Sequence, residues 1–154
     1  MATNTPVVIS ADHAGFARKE WLKQLLMGRG YQVTDLGPET LQPDDDYPAY
    51  AFRLAEAVVG DPLTKGILLC GNGQGICVAA NKVTGIRAVS AFSPEMAVST
   101  RNDDNANVLC LPGRFQENDE IGEIAIAWLE TQFSDEERHH RRIGQLAERE
   151  SAHS

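Results

Sequence analysis

The stretch Gly66-Ile67-Leu68-Leu69-Cys70-Gly71-Asn72-Gly73-Gln74-Gly75-Ile76 decides the fold. Its apolar run, 66–69, reads as a buried strand. Three glycines at alternate positions make a turn, and 76–83 has the spacing of a short helix. Strand, glycine-rich turn and helix in that order make up a βα unit. The same alternation extends both ways. Upstream, 7–9 is β-branched and follows a proline, and 15–29 has helical spacing with apolar Phe16, Trp21, Leu22, Leu25 and Leu26. Residues 31–34 alternate as a second strand, 37–43 read as a loop and 50–59 as an alanine-rich helix. Downstream, 87–90 is a fourth strand, and Ser93-Pro94 opens a helix over 94–100, with Ser93 as its cap. A fifth strand at 108–111, an amphipathic helix at 121–133 and a charged helix at 135–150 complete the chain. Repeated βα alternation predicts an α/β fold: a Rossmann-like, doubly wound sheet of about five parallel strands flanked by helices. Ligands of such sheets lie beyond the carboxyl ends of the strands, so the residues after each strand form the candidate site.

Composition narrows the function. The 154 residues fit one domain, 1–154, with 42% hydrophobic and 23% charged residues. A net charge of −8 argues against general nucleic-acid binding, which needs a basic surface, but leaves room for a small anion held by a few converging arginines. No apolar run approaches the length of a membrane span, and 1–6 do not read as a secretion signal. Three cysteines are too few, and odd in number, for a disulfide framework; they fit the cytoplasm.

At the strand ends, Asp12 can cap the following helix or orient a sugar hydroxyl, and His13 can bind an anion near the helix start. Gly71, Gly73 and Gly75 let backbone N–H groups converge on an anion. The loop fits neither a dinucleotide fingerprint, lacking an acidic residue about twenty positions on, nor a Walker A loop, lacking the following Gly-Lys-Ser/Thr. Cys70 is either a buried structural thiol or, beside these N–H dipoles, a thiolate. Cys77 and Cys110 read as buried. Residues 101–107, Arg-Asn-Asp-Asp-Asn-Ala-Asn, are unusually rich in hydrogen-bonding side chains for a turn. Arg114 follows strand five, and Arg138 and Arg142 share a helical face, where they could be a solvated charge run or fixed phosphate ligands.

Taken with Ser10-Ala11-Asp12-His13-Ala14-Gly15, Asp46-Tyr47-Pro48, Ala79-Ala80-Asn81-Lys82, Gly85-Ile86-Arg87-Ala88, Asn105-Ala106-Asn107-Val108-Leu109, Gly113-Arg114 and Arg138-His139-His140-Arg141-Arg142, the glycine loop gives the chain a resemblance from Val7 to about Glu150. It resembles the family of type B ribose-5-phosphate isomerases, grouped with the galactose-6-phosphate isomerase subunits. The resemblance implies interconversion of an aldose phosphate and a ketose phosphate without metal or organic cofactor, with ribose 5-phosphate and ribulose 5-phosphate as the default pair. It implies Cys70 as the base moving a proton between C1 and C2; a branch of the family uses a glutamate where this chain has Ile76. It further implies that Gly71, Gly73 and Gly75 face the enediolate oxygen and that Asp12 holds hydroxyls. His13, Arg114, Arg138 and Arg142 would hold phosphate, with Tyr47 nearby. A homodimer or homotetramer with shared sites is also implied, the C-terminal helix packing on a partner. Two places depart from the family. Asn72 replaces a Ser or Thr that assists proton transfer. Asp103-Asp104 replaces a His-Asn pair whose His opens the furanose ring from the neighbouring subunit. Asp103 could act as a base in its place, or the substrate could be one that needs no ring opening, such as a tetrose 4-phosphate. A non-catalytic sugar-phosphate binder is the remaining alternative, against which Cys70 weighs.

Overall fold

The computed structural model describes residues 4–153. Five strands and six helices follow one another as β1 (Pro6–Ala11), α1 (Phe16–Gly28), β2 (Gln32–Asp35), α2 (Tyr47–Val59), β3 (Lys65–Cys70), α3 (Gly75–Ala80), β4 (Ala88–Ser90), α4 (Pro94–Asp104), β5 (Val108–Pro112), α5 (Asn118–Glu130) and α6 (Glu137–Ala152). The strands form one parallel sheet in the order β2-β1-β3-β5-β4. The chain runs outward from β1 to β2, then crosses to β3 on the other side. The carboxyl ends of β1 and β3 therefore lie side by side at the switch point where such sheets bind ligands.

Apart from Ser10 in β1 and Lys65 at the start of β3, the central strands are apolar because both faces are covered. Alternate residues point to opposite faces. Val7, Ile9 and Ala11 of β1, Ile67 and Leu69 of β3, and Leu109 and Leu111 of β5 pack with Leu22 and Leu26 of α1 and Ile121, Ile124 and Trp128 of α5. Leu68 and Cys70, with Val108 and Cys110, pack on the other face against Leu54 and Val58 of α2 and Ile76 and Cys77 of α3. Burying a side chain the size of Leu22 or Leu26 is worth about 1.5–3 kcal/mol. The parity of β3 sends Cys70 to the α2–α3 face.

Several boundaries differ from the sequence expectation, each for a local reason. The second helix starts at Tyr47, not 50, because Asp46 is still extended (φ −111°, ψ 129°) and Pro48 sits in the first turn, where its fixed φ and missing N–H are tolerated. The fourth helix runs to Asp104, not 100, and is ended by Asn105 in the left-handed region (φ 47°, ψ 45°). The fifth helix begins at Asn118, not 121, behind a capping box between Glu117 and Glu120, and stops at Glu130, where Thr131 turns extended. The third helix ends at Ala80; the Asn81 side chain then bridges to β4, accepting from the Ala88 N–H at 2.8 Å and donating to its carbonyl at 2.9 Å. Much of the polarity at 101–107 is structural. Arg101 is buried and donates to Asn105 Oδ1 (2.9 Å) and the Ala106 carbonyl, and Asn107 ties Arg87 N–H to the Gly85 carbonyl.

Among the described residues no helix is long and apolar enough to cross a membrane. The sixth helix belongs to neither core; its main contact in the chain is α4.

Candidate active site

Three strand ends converge on one cavity of about 460 Å³, lined by Asp12, His13, Ala14, Tyr47, Cys70, Gly71, Asn72, Gly75, Arg114 and Phe115. After β1 the chain turns through Asp12, whose Oδ1 accepts from the N–H of Ala14 (3.0 Å) and of Gly15 (3.1 Å). Asp12 does not cap α1, whose N-cap is Gly15 without a side-chain bond; instead one carboxyl oxygen fixes the turn that leads into the helix, and the residue lines the cavity. The exit of β5 is laced to the exit of β3, with Gly113 N–H donating to the Cys70 carbonyl (2.7 Å) and Arg114 N–H to the Gly71 carbonyl (3.1 Å). This brings the Arg114 guanidinium over Gly71, where a Cβ would lie 3.2 Å from Nη1.

The glycines of the loop divide the work. Gly73 has φ +75°, a conformation that disfavours any side chain, and a Cβ there would meet the Leu111 backbone at 2.9 Å. It shapes the turn and is not among the cavity-lining residues. Gly75, first residue of α3, makes room for Tyr47, whose ring carbon Cζ would stand 2.8 Å from an added Cβ.

Cys70 closes β3, is 4% exposed and donates from its thiol to Asn72 Oδ1 at 3.9 Å, a sulfur hydrogen bond. The same oxygen accepts the Gln74 N–H at 2.9 Å. Asn72 is therefore an acceptor towards the thiol, held in place by the loop it belongs to, and it leaves its amide N–H₂ for another partner. Cys77 and Cys110 are buried, as their positions suggested. Burial, and the neighbouring Cys77 and Cys70 thiols, push the Cys110 thiol well above its usual range.

His13 carries a contact that the sequence reading missed. Its Nδ1 lies 2.9 Å from Asp45 Oδ1, and its backbone N–H donates to the same oxygen at 2.9 Å. Tyr50 Oη donates to Asp45 Oδ2 at 3.0 Å. The hydrogen bond to Asp45 raises the His13 pKa against the opposing effect of burial; the Asp12 and Asp45 charges add to the rise and Arg114 counters it. Burial pushes the Asp45 carboxyl up, but hydrogen bonds from the His13 side chain, its N–H and Tyr50 prevail and hold it below the ordinary carboxylate range. Asp12, His13 and Asp45 place their donor atoms within 4.8 Å of one another. His13 Nδ1 and Asp45 Oδ1 are engaged with each other, and Asp12 Oδ1 with the Ala14 and Gly15 N–H groups.

Within one chain the remaining expected site residues lie elsewhere. Asp103, Asp104 and Arg142 line a second cavity, about 440 Å³, with His139, Ile143, Gln145 and Leu146. Asp103 Oδ1 stands 3.6 Å from His139 Nε2, and its carboxylate also accepts from Asn102 Nδ2 (2.8 Å) and Ser99 Oγ (3.4 Å). The Asn102 hydrogen bond, against the effect of burial and with help from His139, Ser99 and Arg138, lowers its pKa, which makes it a weaker base. Arg138 pairs with Glu136 at 3.2 Å and donates to His139 Nε2 at 3.4 Å. His139, buried at 6% exposure, is the member of this second group that sequence reasoning did not single out.

Residues 7–146 match the family model described as Ribose/Galactose Isomerase. The chain is 42% identical over 146 residues to a probable ribose-5-phosphate isomerase B of Mycoplasma pneumoniae, covering 95% of each chain. It is 39% identical to ribose-5-phosphate isomerase B of Mycobacterium tuberculosis, covering 96% of this chain and 91% of that one. Among solved structures, ribose-5-phosphate isomerase B of Mycoplasma genitalium with bound ribulose 5-phosphate superposes with a TM-score of 0.92 at 38% identity, covering 97% of this chain and 98% of that one. The type B enzyme of Trypanosoma cruzi gives 0.93 at 36% identity, covering 99% and 100%. A similarity that spans almost the full length of both partners, in sequence and in backbone alike, makes this chain a member of the ribose/galactose isomerase family.

Proposed function

We propose that the 1–154 chain is a single catalytic domain that interconverts ribose 5-phosphate and ribulose 5-phosphate in the cytoplasm. The observation that carries this reading is the meeting of a nearly buried thiol, Cys70, with Asp12, His13 and Arg114 in one cavity. An aldose–ketose isomerase needs a base beside C1 and C2, donors for the enediolate oxygen and a clamp for the phosphate. Cys70, as thiolate, takes the proton from C2 of the open aldose and returns it to C1. The double bond shifts from C1–O1 to C1–C2 in the enediolate, then to C2–O2 in the ketose, while the proton of the O2 hydroxyl passes to O1, so atoms and electrons balance without an external oxidant. Asn72 Oδ1 accepts from Cys70 while the thiol is protonated, the loop N–H groups of Gly71 and Gly75 stabilise the oxyanion, with Gly73 shaping the turn that presents them, and Asp12 orients hydroxyls. His13 and Arg114 meet the phosphate from this chain. Arg138, Arg142, Asp103 and Asp104 enter the site from a second copy in a homodimer or homotetramer. No residue role here calls on a metal or cofactor.

The test is Cys70→Ala. Losing a proton-transfer group costs on the order of 10²–10⁴-fold in rate. The variant is expected to fold, to bind ribulose 5-phosphate and to lose kcat by that factor; near wild-type kcat would overturn the assignment. The same assay over tetrose, pentose and hexose phosphates addresses the second reading. Asp103 is committed to Asn102, Ser99 and His139, so a substrate that stays open, such as a tetrose 4-phosphate, is the one a poor ring-opening base would favour.

A further inference from the structure

Asp45 lies in the 36–46 connection between β2 and α2, thirty-two positions from His13, and joins the site through that residue. Its two carboxyl oxygens are spent differently. Oδ1 receives both the backbone N–H and Nδ1 of His13, so the ring is fixed relative to its own main chain. Oδ2 is anchored to α2 by Tyr50. With Nδ1 occupied, Nε2 is the ring nitrogen left for a ligand in the cavity that His13 lines. The nitrogen that faces a ligand is set by the bond the other nitrogen makes. In the neutral ring held this way Nε2 is an acceptor, which repels a phosphate oxygen; in the protonated ring it is a donor.

We propose that Asp45 is a positioning residue for phosphate capture: it grips the His13 ring by Nδ1 so that an Nε2–H donor meets the phosphate beside Arg114. The proposal rests on the phosphate-binding reading of the Cys70 cavity. The groups facing His13 are Asp12 from the β1–α1 turn, Asp45 from the loop before α2 and Arg114 from beyond β5. The two carboxylates favour the charged ring and the guanidinium opposes it. Removing the Asp45 charge tips that balance towards neutral His13. Donation from Nε2 is present below the His13 midpoint and lost as pH rises through it, so the contribution of Asp45 is felt from neutral pH upward.

The experiment compares wild type with Asp45→Asn, following the His13 imidazole by NMR and the affinity for sulfate. Sulfate stays a dianion across the range tested, so its own charge does not enter. In Asp45→Asn the His13 midpoint is expected to fall, which lowers sulfate affinity roughly tenfold near pH 7.5, while the two proteins converge near pH 5.5. KM for ribose 5-phosphate should rise by a similar factor at the higher pH, with kcat reduced less. Tyr50→Phe loosens the anchor but keeps the carboxylate, and should move the His13 midpoint in the same direction by less. An unchanged His13 midpoint in Asp45→Asn, or a loss of sulfate affinity equal at both pH values, overturns the proposal. If Asp45→Asn does not fold, Tyr50→Phe decides: a lowered midpoint supports it and an unchanged one overturns it. The NMR and sulfate measurements need no turnover, so absence of isomerase activity would sink the substrate reading without touching the role of Asp45 in anion capture.

Discussion

Arg114 leans over Gly71 with no side chain between the guanidinium and the loop. A planar fork in that place can grip two phosphate oxygens at once, which an ammonium cannot. Arg114→Lys is therefore expected to raise KM for the sugar phosphate about tenfold or more, with kcat less affected, in steady-state assays. Gly71→Ala probes the same contact from the other side: the methyl group must push Nη1 away, so the variant should keep its melting temperature and still lose phosphate affinity. The residues most legible in the sequence were those directly after strands: Asp12, His13, Cys70, Asn72 and Arg114 all reach one cavity, because a parallel sheet gathers its strand ends on one side. Asp45 was illegible for the converse reason. It follows a loop whose path is set by tertiary contacts, and nothing local to it announces a partner at position 13. His139 was overlooked because a histidine in a charged run looks solvated until α4 is seen to cover it.

At the level of elements, α1 and the end of β2 are bolted together through Lys19. This side chain is fully buried, with Nζ 2.8 Å from Asp35 Oδ2, 3.0 Å from Glu20 Oε1 and 3.3 Å from the Pro38 carbonyl, and 4.8 Å over the Phe16 ring. Lys23 reaches the same Asp35 oxygen at 2.8 Å. Burial pushes the Asp35 carboxyl up, but hydrogen bonds from Lys19, Lys23 and the Gly37 N–H outweigh it and leave its pKa lowered. A lowered carboxyl pKa stabilises the fold above the unfolded value and ceases to do so as pH falls through the folded one. Denaturation midpoints of the wild type should thus decline below about pH 4. Lys19→Met removes one side of a buried pair and is expected to cost about 3–5 kcal/mol at neutral pH, with the deficit shrinking in acid. A deficit independent of pH would mean that packing, not charge, is what Lys19 provides. The existence and order of all eleven elements could be read from apolar spacing, whereas their ends could not. Tyr47 entering α2 and Asp104 closing α4 depend on the extended Asp46 and the left-handed Asn105, backbone choices that periodicity does not encode.

Across the whole molecule, α6 is the element with least to hold it. Beyond its contact with α4, it is pinned by Glu150 accepting the Gly85 N–H at 2.7 Å, and it leaves Leu146 54% exposed. In the shared-site arrangement proposed above, a second copy would cover this exposed apolar residue and would have a task there. Mixing Cys70→Ala with Arg142→Ala subunits tests it. Each is inactive alone, but a mixed dimer has one intact site, so random exchange should restore about a quarter of wild-type activity; no restoration would place Arg142 in its own chain's site or outside the chemistry. The sequence announced α6 as charged and sparse, but strand order was out of its reach, since every βα unit reads alike whichever neighbour it takes. That order has a consequence in time. The middle of the sheet is β1-β3-β5, and Leu68 of β3 pairs with Cys110 of β5, forty-two positions later. On a ribosome, β1, β2 and β3 can pair while β5 is still unsynthesised, leaving one edge of β3 bare with its apolar row of Ile67, Leu68 and Leu69. Such an edge is where a nascent sheet meets other chains, so this protein should be most prone to aggregate when translation stalls between β3 and β5.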